Sequence, residues 1–463
     1  MKNLFAMAML MICANLFTIA QVQAQTFKTL YSFSGNNGEG DPSVGLSLSG
    51  SVLYGTSAGA FGQIYGAVFA INVDGSGFTN LYNNFRGVDS GGFFPRGVIV
   101  SGNTLYGTIG NGGSGFAGYN GGYIFSISTN GTSFTRLYNF SGGNDGGQPS
   151  RLMLSGNMLY GTAITGGLVG DGTVFAFDTV NSNFSILHSF TATSGGFVSG
   201  GVSYGTNSDG ANPYASLILS GNILYGTTQY GGGYGKGTVF AINTNGMDFT
   251  NLYSFTGGND GKEPRGSLIL SSNILYGTAL YGGTFNNGTV FSLNIDGTGY
   301  ANLHSFTNGN DGANPIAGLI LSGNTLYGTA TIGGTGFAGT VFTLSTDGTG
   351  YTNLYNFTGG DDGSEPYGSL ILSENILYGT TFVGGVNGSG TVFSFALPLP
   401  QLTITLSETN VVLTWPANAS DFVLQSTTNL VSPVWTSTNG QNTVTNSISD
   451  QQRFYRLSQS SPL

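Results

Sequence analysis

The chain contains 463 residues, of which 80 are glycine and only 7% are Asp, Glu, Lys or Arg. Soluble domains average about 7% glycine and about 25% charged residues, so this composition excludes a coiled coil and a charge-rich disordered chain. The net charge of −10 disfavours nucleic acid and acidic membrane surfaces as partners. Hydrophobic residues make up 39% of the chain, which is enough to bury a large core.

The first 24 residues have the pattern of a signal peptide. Lys2 precedes an apolar run from Leu4 to Ala20, and Val22-Gln23-Ala24 forms a cleavage pattern before Gln25. A membrane anchor is the alternative, but the run is short for one. Residues 1–24 are therefore predicted to direct export to the extracellular space or the cell surface. The single cysteine, Cys13, lies in this segment, so the mature protein is expected to contain no disulfide.

Seven copies of one repeat follow the leader, and they are numbered 1 to 7 here. The motif Leu-Tyr-Gly-Thr has its tyrosine at Tyr54, Tyr106, Tyr160, Tyr225, Tyr276, Tyr327 and Tyr378. The motif Gly-Thr-Val-Phe, or a variant, ends at Phe69, Phe125, Phe175, Phe240, Phe291, Phe342 and Phe393. One proline precedes the first strand of each repeat, at Pro42, Pro95, Pro149, Pro213, Pro264, Pro315 and Pro366.

Each repeat is predicted to form four antiparallel strands. In repeat 5 these are 267–270, 274–278, 288–293 and 300–306, separated by Asn-, Asp- and Gly-rich turns. No segment keeps a helical period, so the fold class is all-β. Four strands in about 50 residues are typical of one blade of a β-propeller, and the predicted propeller spans residues 25–396 with seven blades.

The order of the strands indicates how the ring closes. The mature chain begins with a fourth strand, 27–33, whereas repeat 7 ends after its third strand, 390–395. Pairing these two segments would complete the last blade and remove two exposed sheet edges. An open β-solenoid is the alternative, and it has no use for this displaced strand.

The repeats resemble the kelch repeat in layout, with an apolar strand, a Tyr-containing strand and a Gly-Gly doublet such as Gly282-Gly283. They are still more similar to the GloVer tandem-repeat family, called "choice-of-anchor" because varied anchoring segments follow its repeats. The resemblance covers roughly residues 27 to 395. It implies export and no particular activity.

The last residues differ in composition from the repeats. A Pro-spaced linker at 397–400 precedes a Thr-, Ser- and Asn-rich segment at 401–463 that contains both tryptophans, Trp415 and Trp435. Its short apolar runs resemble a trimmed fibronectin type III-like module, so a small β-sandwich-like domain is expected. This module would act as a cap or spacer, or would retain the protein at the cell surface.

Residues suited to catalysis are scarce, and no catalytic residue is predicted. The two Gly-x-Ser-x-Gly matches, at Ser57 and Ser203, are expected by chance in so Gly-rich a chain. His188 and His304 are the only histidines, and each replaces the tyrosine of the fourth strand. We interpret both as substitutions in the repeat framework rather than as metal ligands.

Carboxylates in the loops between repeats are the remaining candidates for chemistry. Most fit turn formation, because Asp and Asn bond their own backbone. A calcium site is a second interpretation, since Ca²⁺ prefers oxygen ligands; its candidate residues are Asp260, Glu263, Asp362 and Glu365. A glycosidase pair of Asp41 with Glu263 or Glu365 is the third. Apart from calcium, no cofactor is expected.

Aromatic side chains between the second and third strands could stack on sugar rings. These candidates are Phe61, Tyr119, Tyr230, Tyr234, Tyr281 and Phe337. Repeat 4 also carries a 14-residue insertion, largely at 191–206, and a specific ligand contact is expected at this break in the symmetry of the repeats. The leading hypothesis is a monomeric, exported, non-enzymatic binding module directed to polysaccharide or cell-surface components, without nucleic acid and without a transmembrane segment in the mature chain. A polysaccharide-active hydrolase or lyase, and a purely structural scaffold, are the alternatives.

Overall fold

The computed structural model describes residues 26–36, 39–59, 66–83, 93–111, 121–195, 198–199, 202–398, 401–407, 410–415, 422–438, 443–447 and 453–459. These residues contain strands and turns and no helix, so the all-β prediction is confirmed. The chain divides into two compact units. The large unit comprises Lys28–Leu372 and Tyr378–Ser394, and the small unit comprises Phe395–Leu463 with Met1–Phe27 and Ser373–Leu377. The predicted leader, Phe61 and Tyr119 lie outside the described residues.

The repeats form separate antiparallel sheets in which the strands follow chain order. Repeat 1 contains Ser47–Ser49, Val52–Ser57, Ala67–Asn72 and Thr79–Tyr82. Repeat 2 contains Phe93–Ser101, Thr104–Asn111, Tyr123–Ser128 and Thr135–Asn139. Repeat 3 contains Met153–Ser155, Met158–Thr165, Thr173–Asp178 and Phe184–Ser189, and Gly147–Pro149 also pairs with its second strand.

The later repeats keep the same order with little variation. Repeat 4 contains Ile218–Ser220, Ile223–Thr228, Thr238–Asn243 and Thr250–Ser254. Repeat 5 contains Ile269–Ser271, Ile274–Ala279, Thr289–Asn294 and Ala301–Ser305, close to the predicted ranges. Repeat 6 contains Ile320–Ser322, Thr325–Ala330, Thr340–Ser345 and Thr352–Asn356. The insertion before repeat 4 adds a short hairpin of Val198–Ser199 and Val202–Ser203.

The sheet of repeat 7 is completed by the beginning of the described chain. Thr26–Ser32 pairs with Thr391–Ala396, which continues to Ile376–Thr381 and Ile371–Ser373. Phe33, directly after the first strand, is fully buried, and its backbone N–H donates to Gly390 O at 3.0 Å. The prediction that the N-terminal strand supplies the outer edge of repeat 7 is therefore confirmed.

The glycine of Leu-Tyr-Gly-Thr makes a close contact inside its own sheet. A β-carbon at Gly277 would stand 2.6 Å from Cζ of Phe291 in the adjacent strand and 2.9 Å from Cδ2 of Leu268. The same contact recurs in every repeat, so the glycine leaves room for the phenylalanine of Gly-Thr-Val-Phe, whose ring is buried throughout.

Neighbouring repeats interlock through the glycine of Gly-Thr-Val-Phe and the proline of the next repeat. A β-carbon on this glycine would stand within 2.7 Å of the next proline's Cδ, so only glycine fits. The pairs are Gly66–Pro95, Gly122–Pro149, Gly172–Pro213, Gly237–Pro264, Gly288–Pro315, Gly339–Pro366 and Gly390–Pro42. The last pair joins repeat 7 to repeat 1.

The threonine of Leu-Tyr-Gly-Thr adds a hydrogen bond between neighbouring repeats. Its buried hydroxyl donates to a backbone carbonyl at the start of the next repeat. The pairs are Thr56–Pro95, Thr108–Ser150, Thr162–Ala215, Thr278–Ala317, Thr329–Pro366 and Thr380–Val44, with oxygen–oxygen distances of 2.8 to 3.5 Å. The equivalent hydroxyl of Thr227 is buried without a partner.

The small unit contains two three-stranded antiparallel sheets. One comprises Thr403–Ser407, Asn410–Thr414 and Thr443–Ser447, and the other comprises Thr436–Thr438, Phe422–Thr427 and Phe454–Gln459. Leu413, Trp415, Leu424 and Val444, drawn from both sheets, form its buried core. The other tryptophan, Trp435, lies under the Arg456 guanidinium, whose carbon is 4.2 Å from the ring centre.

Candidate functional site

The large unit contains a pocket of about 760 Å³ that residues from all seven repeats line. We call it the central pocket. In each repeat the residue directly after the conserved proline belongs to its lining. These post-proline residues are Ser43, Arg96, Ser150, Tyr214, Arg265, Ile316 and Tyr367. Ligand sites in proteins commonly measure ~300–1,000 Å³, so the central pocket has the size of a small-molecule site.

The backbone before each proline directs the next side chain into this pocket. The residues before the seven prolines all have a positive φ, between 53° and 61°, namely Asp41, Phe94, Gln148, Asn212, Glu263, Asn314 and Glu365. Non-glycine residues rarely adopt this conformation, which costs on the order of 1 kcal/mol or more each. The glycine–proline contacts and the threonine hydrogen bonds hold the chain in place here. The framework therefore maintains seven strained turns around one pocket.

Three arginines line the central pocket, and they come from repeats 2, 3 and 5. Arg96 donates from Nη1 to the Tyr214 hydroxyl, and its Nε is buried without a hydrogen-bond partner. Arg265 has Nη2 3.6 Å from Glu263 Oε2, and its Nε is likewise unpartnered. Arg151 donates from Nη2 to Leu46 O at 2.9 Å, and burial lowers its pKa to about 10.

Tyr214 lies between two of these guanidinium groups. The central carbons of Arg96 and Arg265 are 5.0 and 5.6 Å from its ring centre, within cation–π range. The charge of Arg96 contributes most to lowering the pKa of Tyr214, although burial opposes this effect. The phenol is therefore polarised toward its anionic form.

Asp41 adds a carboxylate to the lining of the pocket. Its side chain is only 7% exposed, and burial raises its pKa to about 6. A carboxyl group in this range exchanges protons near neutral pH.

The inter-repeat aspartates that the sequence singled out bind to their own turns. Asp260 accepts hydrogen bonds from the Tyr253 hydroxyl at 3.0 Å and from the Thr256 backbone N–H and hydroxyl at 2.7 and 2.6 Å. Asp362 accepts the equivalent set from Tyr355 and Thr358. These contacts agree with the interpretation as turn residues. Each aspartate also anchors the fourth strand of the preceding repeat.

The two glutamates of the predicted calcium site have other neighbours. Glu263 Oε2 accepts hydrogen bonds from Gln229 Nε2 at 3.1 Å and from the Tyr230 hydroxyl at 3.2 Å. Glu365 Oε2 accepts one from the Tyr367 hydroxyl at 3.0 Å. Within the described part of the chain, no three acidic, His or Cys residues cluster as metal ligands, so the structure does not bring Asp260, Glu263, Asp362 and Glu365 into one such group.

Both histidines occupy the framework position that the sequence indicated. His188 Nε2 lies 2.9 Å from Asp209 Oδ2, and His304 Nε2 lies 3.1 Å from Asp311 Oδ2. Tyr253 reaches Asp260 in the same way. The interpretation of the histidines as replacements for the fourth-strand tyrosine is therefore confirmed.

The four described aromatic candidates for sugar stacking do not line the central pocket. Tyr234 and Phe337 are exposed by 59% and 76%. Tyr281 is half-buried, with Lys262 Nζ 5.8 Å from its ring centre. Tyr230 is buried, and the centre of its ring lies 4.7 Å from the ring centre of Tyr204 in the insertion.

Of the residues that line the pocket, only Asp41 was among the candidates that the sequence indicated. The pocket's aromatic lining consists of Phe94, Tyr214, Tyr367 and Phe382, and none of these was among the predicted site residues. One signal was present in the sequence. The positions after the seven prolines vary in size and charge while the surrounding motifs repeat, which is the pattern of side chains that the framework does not require.

The strand order and the arrangement of the repeats define the large unit as a β-propeller. An oligogalacturonate lyase from Vibrio parahaemolyticus has a similar fold, with 9% identity over 81% of this chain and 97% of the lyase at a TM-score of 0.50. The chain belongs to the family described as the Gloeobacter/Verrucomicrobia repeat, whose model matches residues 12–203, 114–258, 198–322 and 297–443. This match confirms the predicted tandem-repeat family.

Two further structures are similar at lower scores. The β-propeller domain of the trilobed protease from Pyrococcus furiosus matches with 10% identity over 77% of this chain and 94% of that domain, at a TM-score of 0.42. TolB from Acinetobacter baumannii matches with 15% identity over 69% of this chain and 65% of TolB, at a TM-score of 0.38. No curated protein matches the chain. Within the described residues, no helix has the length and apolar character needed to span a membrane.

Proposed function

We propose that this protein is an exported, non-enzymatic binding module whose central pocket takes a carbohydrate ligand. In this proposal the seven repeats form one closed seven-bladed propeller, and residues 401–463 form a small β-sandwich that spaces or retains it at the cell surface. The observation that carries the proposal is that the post-proline residue of every repeat lines one pocket.

The chemistry of the lining supports a sugar ligand. Tyr367 and Phe382 offer aromatic faces on which sugar rings stack. Serines at positions 43, 267 and 369 line the same pocket and provide hydroxyl groups for hydrogen bonds to a polyol. A pocket that is largely apolar with a few polar groups is typical of small-ligand sites.

Binding of a panel of mono- and oligosaccharides to the purified chain, measured by titration calorimetry, tests this proposal. The variant Ile316→Trp places a larger side chain in the lining and should abolish binding without lowering the melting temperature. Ile223→Trp makes the same change at a side chain that is 37% exposed and lies outside the lining, so it should leave binding unchanged. Absence of binding to every saccharide would refute the proposal and favour a purely structural scaffold.

A hydrolase or lyase is the second candidate, and Asp41 is the observation that favours it. A buried carboxyl group with a pKa of about 6 is suited to act as a general acid near neutral pH. Glu263 or Glu365 would provide the second carboxylate. Turnover of a glycan that is lost in Asp41→Asn and in Glu263→Gln or Glu365→Gln would establish this function, whereas binding without turnover supports the binding module.

A further inference from the structure

The central pocket concentrates positive charge in an acidic protein. The chain has a net charge of −10, yet Arg96, Arg151 and Arg265 all line this pocket. The repeat framework does not require Arg96 or Arg265, because other repeats carry Ser43, Ile316 or Tyr367 after the proline. It does not require Arg151 either, because the residues at that position in the other repeats are Val44, Gly97, Ala215, Gly266, Ala317 and Gly368. A cluster of guanidinium groups in a concave site attracts an anionic ligand and raises its local concentration.

The guanidinium groups keep hydrogen-bonding capacity that the protein does not use. The Nε atoms of Arg96 and Arg265 are buried without a partner, and leaving a buried donor without a partner is unfavourable. Arg151 forms no ion pair with a carboxylate among the described residues, and its one recorded side-chain bond goes to a backbone carbonyl. The bond to Leu46 gives Arg151 a structural role. No such bond satisfies the Nε donors of Arg96 and Arg265.

The number of charges selects the kind of anion. Three guanidinium groups face the pocket, Asp41 lies in the same lining, and Glu263 lies 3.6 Å from Arg265. Glu365 also lies beside the pocket, because it accepts a hydrogen bond from the lining residue Tyr367. The three guanidinium groups are therefore partly neutralised by nearby carboxylates, which suits a monoanion better than a phosphate dianion. Arginine also matches a carboxylate in geometry, because its planar fork can donate two parallel hydrogen bonds.

We infer that the central pocket binds a sugar acid, a saccharide with one carboxylate on the ring, and that Arg96, Arg151 and Arg265 recognise this carboxylate. The inference rests on the proposed function and adds the class of ligand. The serine hydroxyls and the aromatic rings of the lining contact the rest of the sugar. Tyr214, which lies between Arg96 and Arg265, helps to hold these two guanidinium groups beside the carboxylate.

The experiment compares D-glucuronate with D-glucose, which differ only in the carboxylate at C6. Calorimetry on the full chain should show glucuronate, or a short oligosaccharide that contains it, binding at least tenfold more tightly than the neutral counterpart. Arg265→Gln and Arg151→Gln should each weaken binding at least tenfold, and Arg265→Lys should have an intermediate effect. Lys236→Gln removes the same charge from an exposed side chain outside the lining and should change affinity less than twofold.

Each other outcome overturns a specific statement. Equal affinity for the acidic and neutral sugars refutes the inference and leaves the proposed function intact. Inorganic phosphate binding as tightly as glucuronate also refutes it, since the site would then be a general anion site. Binding to no saccharide refutes the proposed function itself. If Arg151→Gln fails to fold, Arg265→Gln carries the test, because the Arg265 side chain is 26% exposed and its melting temperature provides the control.

Discussion

Pro42 packs against Gly390, so that a β-carbon at Gly390 would stand 2.7 Å from Pro42 Cδ. These residues belong to repeats 1 and 7, and each other pair of successive repeats makes the same contact. Backbone hydrogen bonds also join the two ends of the chain here. The Asp41 N–H donates to Ser389 O at 2.9 Å, and the Phe33 N–H donates to Gly390 O at 3.0 Å. The first and last repeats are therefore joined by the contacts that join all the others.

The first prediction concerns this junction. Gly390→Ala should lower the free energy of unfolding by about 2–4 kcal/mol, because it combines a positive φ with a clash against Pro42 and Thr381. Gly388→Ala is the matched control, since Gly388 has a φ of 76° and no atom within 4 Å. It should cost only about 1 kcal/mol. Equal losses in denaturant titrations of the two variants would show that the proline contact contributes nothing.

The second prediction compares two threonines at the same repeat position. Thr278 and Thr227 are both 1% exposed, but Thr278 donates to Ala317 O at 2.9 Å and Thr227 has no partner. Thr278→Val should lower the free energy of unfolding by about 1 kcal/mol. Thr227→Val should leave it unchanged or raise it, because the variant removes a buried unpaired hydroxyl. A larger loss for Thr227→Val would contradict the assignment of this bond as a link between repeats.

The third prediction concerns His304. Burial lowers its pKa below the ordinary value of 6.5, although Asp311 opposes the shift. The unfolded chain therefore binds this proton more readily, and the protein should lose stability as the pH falls below about 6.5. His304→Tyr introduces a tyrosine, the residue that repeat 4 has at the equivalent position, Tyr253. The variant should therefore not lose this stability at low pH.

The measurement is the difference in unfolding free energy between the protein and the His304→Tyr variant at pH 8 and at pH 5. We expect this difference to move in favour of the variant at the lower pH. His304→Phe serves as the control, because it removes the bond to Asp311 and should be less stable than His304→Tyr at both values. A difference that is the same at both pH values would contradict the lowered pKa.

The fourth prediction concerns Asp41, whose shift has the opposite sign. Burial raises its pKa from 3.8 to about 6, so the folded state binds the proton more tightly than the unfolded state does. Asp41 should therefore destabilise the fold above pH 6, and this penalty should disappear as the pH falls from 6 toward 4.

Asp41→Asn tests this prediction without changing the backbone requirement, because Asn also tolerates the positive φ of 53°. The variant should be more stable than the protein at pH 7.5, and this advantage should shrink at pH 4.5. Thermal unfolding at both pH values gives the answer. An advantage of equal size at the two values would mean that Asp41 is not protonated within this range.

Much of the fold was predictable because its determinants are local and repeated. The apolar second strand, the Asn- and Gly-rich turns and the third strand recur in each copy. A strand that is ambiguous in one repeat can therefore be assigned by comparison with the other repeats. The role of the displaced strand at Thr26–Ser32 followed from counting strands. The reason for Gly277 was not predictable, because glycine alone does not reveal whether a side chain or a backbone occupies the space beside it.

The amino-acid sequence by itself determined the strands, the repeats and the segment that completes the last sheet, since each depends on residues adjacent in the chain. Only the tertiary structure decided which side chains meet. Arg96, Tyr214 and Arg265 come from different repeats, and the positive φ before each proline together with the packing of the repeats brings them to one pocket. No spacing within a single repeat encodes that convergence, because it arises from contacts between repeats.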